Sequence, residues 1–100
     1  MNKRFLNNVW ISIKFDKNVN NILNDNFTRD TNGKHCGEWE ICSGECYHLY
    51  FYEFDENKNM MYIQKGWKDN NYCCNNHCCN HLMEDIQSTF RDVNFRVKYH

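Results

Sequence analysis

Apolar residues alternate with polar ones at several places along the chain, and the period changes once. Val9, Ile11, Ile13 and Phe15 are separated by Trp10, Ser12 and Lys14, which is the two-residue period of a half-buried strand. From Asp16 to Lys34 the chain is dominated by Asn, Asp and Thr, whose side chains compete for backbone hydrogen bonds, and this stretch is read as a long loop. From Cys46 to Phe54 a run of aromatic residues suits a pleated surface better than a helix. Asp55 to Asn59 then makes a polar turn, and Met60 to Gln64 returns as the antiparallel partner of a hairpin. Gly66 breaks that strand, and a short second loop leads through Asp69, Asn70 and Asn71 to Tyr72.

The period lengthens after Asn80. Leu82, Ile86 and Phe90 recur every four residues, with Glu84 and Asp85 near the start, which predicts two helical turns or slightly more. Val93, Phe95, Val97 and Tyr99 alternate again and predict a last strand. There is no proline, fixed repeat or Gly/Ser linker, so the chain reads as one domain. Its parts are an N-terminal strand and Asn-rich loop over 1–35, a cysteine core over 36–80 and a helix and strand over 81–100. The expected class is mostly β, an antiparallel sheet with a short C-terminal helix.

A chain of 100 residues buries only about two thirds of its unfolded surface, so its core needs support. Seven cysteines, 16% aromatic residues and a mean hydropathy of -0.90 favour a disulfide framework over a large oily core. Seven is odd, which leaves at least one thiol free, paired with another chain or bound to metal. Twelve basic and thirteen acidic residues nearly cancel, and no basic run argues for nucleic acid or an anionic membrane. Met1 to Leu6 has the charge of a secretory leader, but Asn7, Asn8, Ser12, Lys14 and Asp16 interrupt the apolar stretch that should follow. No run approaches the ~18 apolar residues of a membrane span.

The region from Cys36 to Asn80 resembles the extracellular domain of activin-type receptors of the transforming growth factor-β superfamily, type II, which have a three-finger toxin-like fold. The carriers are Cys36, then Cys46-Tyr47; the hairpin ending Tyr62-Ile63-Gln64-Lys65-Gly66-Trp67; and the closing Cys73-Cys74 with Cys79-Asn80. The resemblance implies a disulfide-rich, three-finger-like sheet, a Cys74 to Cys79 bridge and an extracellular or cell-surface location. It implies a ligand-binding face of Tyr47, Trp67 and Tyr72, with Leu49 and Ile63 lining the same face. The ligand would be a protein of the activin or bone morphogenetic class, and the membrane would be reached only through a segment outside this chain. The family's corner cysteine, which would bridge to the position of Cys36, is missing, and so is a cysteine near Val9 that would bridge to Cys46, while Cys42 and Cys78 are extra, so the resemblance leaves Cys36 to bridge to Cys42 or Cys46 instead. Asn26-Phe27-Thr28 is a glycosylation sequon if the chain is secreted.

Two other chemistries fit parts of the same sequence. Cys42, Cys46, Cys73, Cys74, His77, Cys78, Cys79 and His81 form two groups of soft ligands suited to zinc in an intracellular structural domain, although none has Cys-x-x-Cys spacing. Cys73-Cys74-Asn75-Asn76-His77 also resembles the histidine motif of secreted phospholipases, but Cys78 stands where the calcium-binding aspartate belongs. No nucleophile elbow, phosphate loop or paired carboxylates occur, so the expectation is a binding protein with no cofactor and no catalytic residues.

Overall fold

A computed structural model of the chain describes the backbone of residues 9–43, 46–65 and 77–100, and side chains throughout these except at 42, 43, 46–48 and 77–80. Five strands form one sheet: β1 (Ile11–Phe15), β2 (Cys36–Ser43), β3 (Cys46–Asp55), β4 (Met60–Lys65) and β5 (Phe95–Tyr99). All neighbours are antiparallel, in the order β2-β3-β4-β1-β5. Helices α1 (Asn20–Asn26) and α2 (His77–Thr89) accompany the sheet. The mostly β class, the β3–β4 hairpin, the N-terminal and C-terminal strands and the C-terminal helix are therefore present. Placement of β1 inside the sheet, between β4 and β5, is an addition to that expectation.

Both helices pack on one face of the sheet because each carries an apolar row at four-residue spacing. Leu82, Ile86 and Phe90 are fully buried on and just after α2, and Val19 and Leu23 are buried around α1. They meet Ile11, Ile13, Phe15, Phe54, Met61 and Ile63 from the sheet. Phe15 is central: its ring lies 4.5 Å from Phe90, 6.1 Å from Phe54 and 6.0 Å from Phe95. Trp10 also turns to this side. Its amide donates to the Ile63 carbonyl at 2.8 Å although Ile63 is paired with Ile11, so two residues oppose one, as in a β-bulge. The bulge lets Trp10 stack on Tyr50 at 5.6 Å beneath the Lys65 ammonium.

Asn59 fixes the hairpin tip to β1. It sits at φ 54, a left-handed conformation that asparagine tolerates, and its side-chain amide donates to the carbonyls of Phe15 and Lys17. Asp55 holds the same turn by accepting from the amides of Asn57 and Lys58.

Several expectations are corrected. The Asp16 to Lys34 segment is not a continuous loop but contains α1, because Val19, Leu23 and Phe27 have helical spacing and a core to pack against. Strand β2 is an addition to the sequence expectation, and α2 begins at His77, earlier than the apolar row suggests. Cys36 is a free thiol. Cys42 lies six residues along the same extended strand, roughly 20 Å away at about 3.3 Å per residue, beyond the ~7 Å that a bridge spans. Cys46 is as remote, since it pairs with Ser43 at the opposite end of β2. Leu49 and Ile63 do not share a face: Ile63 pairs with Tyr52, so Leu49, three positions earlier on β3, points to the other side of the sheet. Ile63 is fully buried and Leu49 nearly so.

Candidate binding surface

Phe27, Trp39 and Tyr52 form a cluster on the helix side of the sheet, at its β2 edge. Phe27 follows α1 directly; its amide closes the last helical turn on the Leu23 carbonyl at 2.8 Å, and its backbone then becomes extended. Trp39 comes from the edge strand, and Tyr52 stands opposite Gly37 on β3. The three rings meet edge to face, at 5.4 Å for Phe27 and Trp39, 5.1 Å for Phe27 and Tyr52 and 6.1 Å for Trp39 and Tyr52. Gly37 leaves room for this. A β-carbon there would lie 3.2 Å from the Tyr52 hydroxyl, tighter than an ordinary contact.

The rings floor an open depression of about 340 Å3, with Asn26, Thr28, Glu38 and Thr89 around the rim. Tyr52 is buried, while Phe27 and Trp39 remain partly exposed. Burial pushes the Tyr52 phenol above its ordinary pKa against an opposing hydrogen bond with Thr28, so it stays protonated at neutral pH. Chemically the depression offers ring surface with hydroxyl and amide groups. That composition suits recognition of an apolar or aromatic side chain and contains no nucleophile and base pair.

A polar cluster lies around the tight turn between α1 and β2. Asp30 accepts from the amides of Asn32 and Lys34 at 2.9 Å each, and Gly33 takes the positive φ of 80 that the turn requires. The Lys34 amide bond, with smaller contributions from Cys36 and Asn32, holds the Asp30 carboxyl below its ordinary pKa. Lys34 reaches Glu53 at 2.8 Å, which raises the lysine pKa. Cys36 lies 3.4 Å from Asp30, and burial first, then the aspartate, pushes the thiol up. A cysteine in this setting is held as the thiol and is not an activated nucleophile. His35 is buried at 1% exposure, its Nε2 3.2 Å from Asn24 and its Nδ1 without a protein partner among the described residues.

Of the residues singled out from sequence, Trp67, Tyr72, Cys73 and Cys74 lie outside the described residues. The side chains of Cys42, Cys46, Tyr47, His77, Cys78 and Cys79 also lie outside the description. Asn26 of the sequon is exposed at the end of α1, its amide donating to the Ile22 carbonyl at 2.9 Å. Among the described residues, no group of three His, Cys, Asp or Glu side chains is arranged for a metal, and no helix is long and apolar enough to cross a membrane. Phe27, Trp39 and Tyr52 were not singled out, although Gly37 to Ile41 carries a legible two-residue alternation and Val19, Leu23 and Phe27 a four-residue one.

The fold and this surface define a small two-layer domain, a five-stranded antiparallel sheet backed by two helices, with an aromatic depression at one edge. Searches of family models, curated proteins and solved structures find no match to this chain.

Proposed function

We propose that the chain is a non-catalytic recognition module that binds a protein partner through aromatic side chains. The supporting observation is the partly exposed pair Phe27 and Trp39, braced by buried Tyr52 around a preformed depression. Large rigid rings held in place by their neighbours lose little freedom on binding and bury much area, which is the profile of an interface hot spot. The finer reading, an extracellular receptor-like module for a growth factor of the activin or bone morphogenetic class, is supported by the motif set from Cys36 to Asn80. In it, Tyr47, Trp67 and Tyr72 carry the contact.

Surface plasmon resonance with immobilised activin and bone morphogenetic dimers tests both levels. On the finer reading the chain binds at least one dimer, and Trp67→Ala weakens binding by about 2 kcal/mol or more, the scale of an aromatic hot spot. Weakening by Trp39→Ala, with an unchanged melting temperature, places the contact at the depression. Absence of binding to every dimer removes the growth-factor reading, and binding indifferent to both tryptophans removes the aromatic mechanism.

A further inference from the structure

The two edges of the sheet carry opposite charge on the same face. β2 is one edge and β5 the other, and no described strand lies beyond either. Glu38 and Glu40 alternate along β2, Arg96 and Lys98 along β5, and all four are exposed. The register settles which way they point. Lys98 pairs with Ser12, Ser12 with Tyr62, Tyr62 with Glu53 and Glu53 with Cys36, so Lys98 and Arg96 share the face of Cys36, Glu38 and Glu40. On the opposite face Trp39 and Ile41 of β2 match Phe95 and Val97 of β5, all in or against the core. Four antiparallel steps separate the edges, so β2 and β5 run in the same direction.

We propose that this chain assembles head to tail with further copies of itself, the acidic edge β2 of one copy pairing in parallel with the basic edge β5 of the next. An unpaired strand edge presents main-chain donors and acceptors to any strand that can approach, and charge decides which strand that is. Two β2 edges paired antiparallel would set glutamates beside glutamates, and two β5 edges would set cations beside cations; both are repulsive. The mixed pairing sets Glu38 beside Arg96 and Glu40 beside Lys98, with Trp39 beside Val97 on the helix side. Both helix layers stay on one face, because the next copy joins without turning over. A head-to-tail contact does not stop at two copies. With a twist of roughly 20–25° per strand, five strands turn each copy by about 100–125° relative to the last, giving a helical string and not a flat ribbon. The inference rests on edge charge and strand direction and not on the proposed ligand, although Glu38 and Trp39 border both surfaces, so a ligand in the depression and the next copy would compete.

Sedimentation velocity of the full chain, in reductant so that no thiol cross-links form, reads the assembly directly. At low salt the mean mass rises with concentration past that of a dimer, and high salt reverses it. The double variants Glu38→Lys with Glu40→Lys, and Arg96→Glu with Lys98→Glu, each make both edges alike and weaken association by about tenfold or more. Mixing the two restores it, since a basic β2 then meets an acidic β5. All four positions are exposed, and a melting curve for each variant confirms an intact fold. A wild-type chain that stays monomeric at every concentration overturns the inference; so does a mixture that fails to regain mass, or a variant that associates as strongly as wild type.

Discussion

At Cys36 the local chemistry sets a reactivity that the cysteine count does not. Desolvation and the Asp30 carboxylate both oppose the thiolate, so the folded pKa lies above the unfolded one. The sign follows from linkage: the stability this thiol contributes is complete below its unfolded pKa and is lost as pH rises through the folded value. Alkylation of residue 36 by iodoacetamide, followed by peptide mass spectrometry at neutral pH, is expected to be slower in the native chain than in the denatured one. Asp30→Asn removes the second cause and is expected to speed it. Native alkylation as fast as in the denatured chain would contradict the assignment of a shielded thiol. Asp30 itself works in the other direction, because its lowered pKa gives a contribution present at neutral pH and lost on acidification.

Helix α1 is an element whose existence depends on tertiary packing. It has seven residues, Asn18 accepts from the Asn20 amide at 2.9 Å at its start, and its own sequence, Asn-Asn-Ile-Leu-Asn-Asp-Asn, has little helical preference. Leu23 is fully buried in the core, so Leu23→Ala is expected to cost about 2–5 kcal/mol in urea unfolding. The same variant should free the following Phe27 and change the tryptophan fluorescence from Trp39. A cost below ~1 kcal/mol would show that the helix is not anchored there. This is also why composition misled at 16–34: asparagine content signals a loop, and three apolar residues four apart become decisive only once a sheet exists to receive them. Strands β1, β3, β4 and β5 and the row Leu82, Ile86, Phe90 were legible because their periods are uninterrupted. β2 is harder to read because Cys36, Cys42 and Cys46 have equally the pattern of bridge partners, although Glu38, Trp39, Glu40 and Ile41 alternate plainly. The depression was illegible as a unit, since Phe27, Trp39 and Tyr52 come from three elements that only the fold brings together.

Across the whole molecule, one apolar layer joins every described element, and its centre is aromatic. Phe90 touches Phe15 of the inner strand at 4.5 Å and stacks with Phe27 beyond α1 at 6.0 Å, so the end of α2, β1 and α1 share one contact point. Such an arrangement should unfold as one unit, because no element can leave without exposing the others' apolar faces. Phe90→Ala is expected to cost about 3–5 kcal/mol, a large part of the 5–15 kcal/mol available to a domain of this size. Tryptophan fluorescence and far-ultraviolet circular dichroism should both shift to lower denaturant by the same amount and remain coincident. If the variant instead showed helix loss at one denaturant concentration and sheet loss at another, the helices and the sheet would be separate cooperative units. The ring cluster would then be a contact between them and not the centre of a common core.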